Sequence, residues 1–264
     1  MGNKGDYIKH MQGINYWDLQ PCNIKHSDKP VGTKEYFDEV EMRKYFVENH
    51  IPGFAEFGKW RGKRVLDLGC GIGTDTVSFA KYGAEVVAID SSQKSVDLTR
   101  KRVIVYGLQD KVEVRWLNAE DLFQFMDWPL EHFDLIYCFG VLHHMKEPDE
   151  CLRNIYPQLE NDGELRLMVY NKWSWKNLRI KLGLDQPEAQ PGCPVWRTYS
   201  KRGIRKLLEN TGFRVIEIKV KHVFPYKIKE YKEYKYVKTW WSYLVPEWLG
   251  WHLCVKAVKN ADRG

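Results

Sequence analysis

The residue types most suggestive of chemistry are two adjacent histidines, His143 and His144, in the stretch CFGVLHHMKEP (138–148). Imidazoles indicate either a metal site or a general base, because histidine binds metals and titrates near neutral pH. A zinc site needs about four ligands in a tetrahedral array, and neighbours in a chain rarely bind one metal well. We therefore expect no metal here, and the pair is interpreted as one histidine that packs and one that faces a substrate.

A glycine-rich turn precedes the histidines in the stretch VLDLGCGIG (65–73). Gly69, Gly71 and Gly73 permit a tight turn, and their missing side chains let a ligand approach the backbone closely. Thr-Asp follows the third glycine, so the lysine of a phosphate-cradling P-loop is lacking. Dinucleotide-binding folds also have such glycines, so the neighbouring residues must decide between the alternatives.

Two acidic residues accompany the turn. Asp67 lies inside the apolar run before the glycines, and Asp90 ends the next apolar run, AEVVAID (84–90). A carboxylate placed about 20 residues after the glycines can accept hydrogen bonds from a ribose diol. The alternative for Asp90 is the N-cap of the following helix, a position that Ser91 or Ser92 can also fill.

Alternating strands and helices from about residue 63 to 220 are typical of βαβ units with a parallel sheet and helices on both faces. Ligands bind such sheets at the carboxyl ends of the strands, where the glycine turn and the histidines lie. After a first strand within 63–73, we expect strands at 84–90, 111–117, 133–140, 164–170, 213–220 and 251–258, and helices at 32–50, 74–83, 91–107, 148–163 (interrupted by Pro157) and 200–212.

Four segments in order carry a resemblance to the class I S-adenosylmethionine-dependent methyltransferases: VLDLGCGIG (65–73), VVAID (86–90), NAEDL (118–122) and FDLIYCFGVLHHM (133–145). The resemblance is close over about residues 63–170 and looser elsewhere. It implies an α/β fold with a doubly wound, mostly parallel, seven-stranded Rossmann-like sheet. It also implies S-adenosylmethionine as the cofactor and in-line transfer of its methyl group to an acceptor oxygen or nitrogen.

The resemblance implies particular roles as well. The glycine turn cradles the methionine end of the cofactor with help from Asp67, Asp90 holds the ribose hydroxyls, and Ala119 and Glu120 lie against the adenine. The expected cofactor-binding residues are Asp67, Gly69, Cys70, Gly71, Gly73, Asp90, Ser91, Ala119, Glu120, Phe139 and Gly140.

The catalytic candidates are His143, His144 and Tyr170, which end the fourth and fifth expected strands. A histidine there can accept a proton from a hydroxyl or amine as it attacks the methyl group. A base is not obligatory, because a neutral amine or an ionised acid can react by positioning alone.

Segments outside the core are expected to form an aromatic, basic cap that selects the acceptor. The expected division is an N-terminal cap segment over 1–60, a methyltransferase core over 61–222 and 250–260, and cap insertions at 171–199 and 223–249. The candidate substrate-binding residues are Tyr16, Trp17, Asn171, Lys172, Arg197 and Tyr199. Aromatic rings can surround a sulfonium and basic groups can bind a carboxylate or phosphate, although packing and surface solvation are the simpler alternatives.

Charge is divided unevenly along the chain. Residues 171–264 contain 20 Lys and Arg against 8 Asp and Glu, whereas residues 1–170 contain 21 against 27. The basic part suggests an anionic acceptor, a nucleic acid, an anionic surface or a solvated face. A small or medium-sized acceptor is favoured because no separate nucleic-acid module is visible. The alternative is an RNA methyltransferase that uses the basic C-terminal third as a platform.

The bulk composition agrees with a globular enzyme. A chain of 264 residues with 44% hydrophobic residues suits one large domain with an elaborated cap. No run of about 18 apolar residues occurs, so no membrane span is expected. Six scattered cysteines without a CxxC pair favour reduced thiols and a cytoplasmic location.

Overall fold

The computed structural model describes residues 16–119, 132–186, 197–223, 226–230, 235–238 and 245–260. Its helices are α1 (Lys34–Val47), α2 (Ile51–Ala55), α3 (Thr74–Lys81), α4 (Gln93–Val105), α5 (Pro148–Ile155), α6 (Trp175–Lys181) and α7 (Lys201–Asn210), with 3₁₀ turns at Phe57–Trp60, Leu142–His144 and Glu247–Leu249. Its strands are β1 (Arg64–Leu68), β2 (Glu85–Asp90), β3 (Val112–Trp116), β4 (Phe133–Phe139), β5 (Leu159–Tyr170), β6 (Phe213–Lys221), β7 (Tyr226–Glu230), β8 (Lys235–Lys238) and β9 (His252–Lys259).

Seven of these strands form one sheet in the order β3-β2-β1-β4-β5-β9-β6. The pairs from β3 through β5 are parallel, and β9 runs antiparallel between β5 and β6. The strand order reverses at β1, so a crevice opens between the carboxyl ends of β1 and β4. The doubly wound, mostly parallel, seven-stranded sheet expected from the sequence is confirmed.

Hydrophobic cores on both faces of the sheet explain the apolar runs. Successive side chains of a strand point to opposite faces, and β1 is buried on both. Val65 packs with Val77 of α3 on one face, whereas Leu66 packs with Leu152 of α5 on the other. Within the described parts of the chain, no helix combines the length and apolar character needed to cross a membrane.

The segment 159–163 was expected to continue a helix but belongs to β5. Helix α5 ends at Ile155: Tyr156 still has helical backbone angles, but Pro157 has no N–H to donate to the preceding turn and its ring crowds that turn. The chain is already paired with β4 through Phe133 and Leu159, before a register shift that leads to the pair of Leu135 with Glu164. The expected fifth strand, 164–170, is thus only the second part of β5.

A two-stranded antiparallel hairpin of β7 and β8 lies within the expected cap insertion 223–249. No strands were expected in this segment from its sequence. The missed signal is the alternation of Lys with Tyr and Ile in YKIKE (226–230), which has the period of two typical of a strand with one solvated face.

A buried arginine attaches the N-terminal helices to the sheet. Arg166 of β5 donates hydrogen bonds to the carbonyl oxygens of Phe54 (2.6 Å) and Ala55 (2.9 Å) at the end of α2. Its guanidinium also pairs with Glu164 at 2.7 Å and with Glu56. One side chain therefore satisfies helix carbonyls that have no partner inside the helix.

We predict that Arg166→Leu lowers the free energy of unfolding by about 2–4 kcal/mol, because it removes the donor to the Phe54 carbonyl and the pairs of the buried guanidinium with Glu164 and Glu56. Arg153→Leu is the matched control, since the pair of Arg153 with Asp149 is exposed and should contribute less than about 1 kcal/mol. Urea denaturation of both variants measures the two effects. Equal losses would show that Arg166 has no special role in the packing of α2.

Candidate active site

The glycine turn connects β1 to α3 at the switch point of the sheet. Gly69, Gly71 and Gly73 have φ values of +76°, +57° and +74°. Left-handed backbone costs other residues about 1–2 kcal/mol each, so three such positions in one loop strongly favour glycine. The N–H groups of Gly69 and Cys70 donate to the Ile89 carbonyl at 2.8 and 3.0 Å, which fastens the turn to the end of β2.

The three glycines differ in what surrounds them. A Cβ on Gly69 would lie 2.3 Å from a methyl of Val141, and one on Gly73 would lie 2.8 Å from the methyl of Thr99. Both positions therefore require glycine for packing. A Cβ on Gly71 would have no atom of the described residues within 4 Å, apart from its chain neighbours. The backbone at Gly71 therefore borders open space that a ligand can enter.

Asp90, at the end of β2, holds the turn from the other side. Its Oδ2 accepts the Gly71 N–H and its Oδ1 accepts the Ser92 N–H, both at 2.9 Å. Burial raises the pKa of Asp90 to about 6, and the nearby Asp18 carboxylate adds to the effect. Ser92 is the N-cap of α4, since its Oγ accepts the Ser95 N–H at 3.1 Å. Of the two serines considered for this cap, the second therefore fills it.

Asp67 lies beneath the turn and is almost fully buried. Its Oδ2 accepts the hydroxyl of Thr76 at 2.5 Å. Burial raises the pKa of Asp67 to about 7, and the Asp75 carboxylate contributes. Asp75 itself pairs with Lys44 at 2.9 Å and accepts the Tyr137 hydroxyl at 3.1 Å.

The remaining expected cofactor residues occupy different environments. The Cys70 thiol is turned inward, and burial raises its pKa well above the usual range. The Ser91 carbonyl accepts the Trp116 indole N–H at 2.9 Å. Ala119 is part of the hydrophobic core, and Glu120 lies outside the described residues.

Phe139 and Gly140 end β4 beside the turn. The Phe139 ring is half-buried and its centroid is 6.0 Å from that of His50. Gly140 has a φ of +80°, which turns the chain away from the sheet. The 3₁₀ turn that carries the two histidines follows directly.

His143 and His144 have distinct surroundings. The His143 side chain is 0% exposed, and its ring centroid lies 3.7 Å from that of Tyr170. Neither ring nitrogen of His143 has a hydrogen-bond partner in the described part of the chain. Burial lowers the pKa of His143 well below the usual range, so the ring is neutral. His144 is half-buried, with its ring 5.1 Å from that of Trp17.

Two of the expected substrate-binding residues meet the histidines. Tyr16 and Trp17 contact each other edge to face at 5.1 Å, and Trp17 contacts His144 in the same way. The segment is anchored at Asp18, whose Oδ1 accepts the Ser92 hydroxyl at 2.8 Å. The N-terminal segment therefore lies over the carboxyl ends of β2 and β4.

The other four expected substrate-binding residues differ in burial and in their hydrogen bonds. The Asn171 amide is buried and donates to the Gly250 carbonyl at 2.9 Å, which is a structural contact. The Tyr199 hydroxyl is buried without a hydrogen-bond partner among the described residues. Lys172 and Arg197 have exposed side chains. The structure groups Tyr170 with the histidines and leaves these two basic residues at the surface.

Four polar residues beside the histidines were not anticipated. His50 Nε2 lies 3.1 Å from His252 Nδ1, and the ring centroid of His222 lies 4.6 Å from that of His252. Glu48 Oε1 is 3.8 Å from His252 Nδ1. The rings of His50 and His252 lie within about 6 Å of the Phe139 ring. We call these four residues the histidine–glutamate cluster.

Burial changes the protonation of this cluster. It lowers the pKa of His50 to about 4 and raises the pKa of Glu48 to about 7. The pKa values of His222 and His252 are lowered well below the usual range, again mainly by burial. The imidazoles are therefore neutral and can donate or accept hydrogen bonds. Among the described residues, no group of three or more His, Cys, Asp or Glu side chains is placed to hold a metal ion.

A family model described as a methyltransferase domain matches residues 41–218. The ubiquinone biosynthesis O-methyltransferase of Actinobacillus pleuropneumoniae is 34% identical over 125 residues, which are 47% of this chain and 53% of that protein. The protein of the same name from Pseudomonas putida is 32% identical over 111 residues, which are 42% of this chain and 46% of that protein. The match thus spans about half the length of these relatives.

Two solved structures share the fold over most of the chain. Magnesium protoporphyrin IX methyltransferase from Synechocystis PCC 6803, with bound SAH, has a TM-score of 0.62 and 17% identity, covering 95% of this chain and 99% of that one. A SAM dependent methyltransferase from Aquifex aeolicus has a TM-score of 0.55 and 20% identity, covering 84% and 96%. At such identities the likeness concerns the fold alone.

The raised pKa of Asp67 predicts a pH dependence of stability. The folded protein keeps this proton up to about pH 7, whereas the ordinary pKa is 3.8. The contribution of Asp67 is therefore fully present below about pH 4 and is lost as the pH rises to about 7, by on the order of 4 kcal/mol. Asp67→Asn removes this titration. Urea denaturation at several pH values measures the free energy of unfolding, which should decline less steeply between about pH 4 and 7 in the variant than in the wild type. The same pH dependence in both proteins would contradict the prediction.

Proposed function

Since the chain belongs to the family of S-adenosylmethionine-dependent methyltransferases, we propose that it methylates a hydroxyl oxygen of a small or medium-sized acceptor. The observation that carries the proposal is the half-buried His144 at the carboxyl end of β4, next to the glycine turn. The curated relatives named above support an oxygen acceptor by their name. Because the match covers about half of them, their own substrate is not assigned to this chain.

The cofactor is S-adenosylmethionine, which supplies an electrophilic methyl group when bound. The glycine turn fits it, because the space beside Gly71 is open and a side chain there would occupy it. Each Asp90 oxygen accepts one backbone N–H, and a carboxylate has about four acceptor positions. Capacity therefore remains for the two ribose hydroxyls. Gly69, Gly73, Ser91, Ala119 and Gly140 complete the proposed contacts, with Asp67 supporting the turn from below.

We assign the base role to His144 and a positioning role to His143. A base must reach the acceptor proton, and the half-buried His144 side chain is accessible while that of His143 is not. His143 instead packs against both His144, at 4.2 Å between ring centroids, and Tyr170. Tyr170 in turn stacks on Trp251 at 4.1 Å, so these rings hold His144 in place.

The acceptor lies between the aromatic rings and the histidine–glutamate cluster. Phe139 supplies an apolar surface, and the cluster beside it supplies neutral hydrogen-bonding groups. Trp17 and Tyr16 exclude water from the side of the N-terminal segment. Exposed Lys172 and Arg197 are placed to meet an anionic substituent at the rim, which is the role that the sequence analysis gave them.

Label partition tests the acceptor class. The protein is incubated with methyl-labelled S-adenosylmethionine and a cell extract, which is then separated into small molecules, RNA and protein. We expect label in the small-molecule pool, where mass spectrometry identifies the product. Label in RNA would favour the alternative, in which the basic C-terminal third binds a nucleic-acid strand.

We predict that Asp90→Ala weakens S-adenosylmethionine binding at least about tenfold, because both the ribose acceptor and the bonds to the glycine turn are lost. Asp97→Ala is the control, since Asp97 lies on the exposed face of α4, where it accepts the Gln93 amide at 2.8 Å and pairs with Arg100 at 3.5 Å. Isothermal titration calorimetry compares the two dissociation constants. An unchanged affinity in Asp90→Ala would remove Asp90 from the cofactor site.

We predict that His144→Phe lowers kcat by about 10²–10⁴-fold at saturating cofactor, since it keeps the ring contact with Trp17 but removes the proton acceptor. His143→Phe should keep part of the rate, because it retains a ring between Tyr170 and His144. Turnover of the acceptor found by label partition measures both. Wild-type rates in both variants would exclude a histidine base, with unchanged cofactor affinity confirming that the site is intact.

A further inference from the structure

The segment that follows β5 exposes four apolar side chains and buries polar ones that include Lys176 and Asn177. Trp173, Leu182 and Leu184 are each 63% exposed, and Leu178 is also exposed. Lys176, by contrast, is 9% exposed although it carries a charge. A helix that merely covers a core shows the opposite arrangement, with its apolar stripe inward. We call Trp173, Leu178, Leu182 and Leu184 the outer patch.

Specific contacts maintain this orientation. Ser174 caps α6 by accepting the Asn177 N–H at 3.0 Å, and the Asn177 amide donates to the Lys172 carbonyl at 2.7 Å. Lys176 Nζ lies 5.4 Å from the Trp251 ring centroid, a cation–π contact directed at the core. Because these polar groups face the core, Leu178 and Leu182 lie on the solvent-facing side of α6, one helical turn apart.

One more exposed apolar side chain, that of Trp248, lies beside the outer patch although it comes from a distant part of the chain. Asn171 Nδ2 contacts the Trp248 carbonyl at 3.3 Å, which brings the 3₁₀ turn Glu247–Leu249 beside the start of the segment. The Trp248 side chain is exposed as well. A group of apolar side chains exposed together, unlike a single one, typically marks a surface that binds a protein or a membrane.

Charge identifies the partner. Residues 171–186 contain four basic residues, Lys172, Lys176, Arg179 and Lys181, against a single acid, Asp185, which pairs with Arg179 at 3.1 Å. Exposed Lys172 directly precedes Trp173, and exposed Lys181 directly precedes Leu182. Tryptophan and leucine side chains enter the interfacial region of a bilayer, and neighbouring lysines are attracted to anionic headgroups.

We propose that the outer patch docks the protein peripherally on an anionic lipid bilayer. A protein partner is less well matched, because the two acids beside the outer patch are already paired within the chain, Asp185 with Arg179 and Glu247 with Lys221, whereas Lys172 and Lys181 are exposed. The outer patch begins at Trp173, three residues after Tyr170 ends β5, so a docked protein presents the carboxyl edge of its sheet near the membrane.

Vesicle co-sedimentation tests the proposal. The probes are vesicles of equal parts phosphatidylcholine and phosphatidylglycerol, and vesicles of phosphatidylcholine alone. We expect at least about tenfold stronger partition onto the anionic vesicles, weakened by added salt. The triple variant Trp173→Ser, Leu178→Ser, Leu182→Ser should lose at least about tenfold in partition. Lys181→Gln should weaken binding to the anionic vesicles alone.

A matched control distinguishes docking through the outer patch from nonspecific adsorption of exposed apolar side chains. The double variant Ile104→Ser, Ile216→Ser removes two exposed apolar side chains from other parts of the surface and should partition like the wild type. Thermal unfolding verifies that each variant is folded. Wild-type protein that stays in the supernatant with both vesicles, or equal losses in the triple and control variants, would overturn the proposal.

Self-association is the competing outcome. If the triple variant halves the particle mass measured by light scattering while vesicle binding is absent, the patch joins two copies of the chain and the membrane assignment is wrong. Vesicle binding is measured without cofactor or acceptor, so failure of the methyl-transfer assay does not bear on it.

Discussion

The site depends on one half-buried carboxylate, Asp90, which ties the glycine turn to the start of α4. Asp90 accepts N–H groups from the glycine turn and from the start of α4, and Ser92 next to it accepts a helix N–H while donating to Asp18. Charge-assisted hydrogen bonds to backbone N–H groups are strong, so these contacts favour one arrangement of turn, helix and N-terminal segment.

Local patterns predicted the elements that surround the cofactor. The strands β1, β2, β3 and β4 were each within a few residues of the expected bounds, because their apolar runs are bounded by glycines or helix caps. The start of β5 was wrong because the segment before Gly163 has no apolar run of its own and follows a helix directly. Its pairing with Phe133 is a contact between distant residues, which no local pattern reports.

The acceptor side was harder to predict for a related reason. His143 and His144 attracted notice because they are adjacent in the sequence, yet their environments differ sharply. The histidine–glutamate cluster joins residues from α1's end, β6's end and β9's start, which are far apart in the chain. Only the strand order, with β9 between β5 and β6, brings them together. A sequence read segment by segment cannot assign a shared site to such residues.

The position of β9 also determines when the seven-stranded sheet can finish forming during synthesis. β9 is translated after β6, yet it lies between β5 and β6 and pairs with both. Until it emerges from the ribosome, β5 has an unpaired edge and β6 has no place in the sheet, and such edges are prone to aggregation. Because the required contacts join residues far apart in sequence, closing this half of the sheet is expected to be the slow step of folding. The half around the glycine turn has all its strands much earlier, so the region proposed for the cofactor can form before the region proposed for the acceptor.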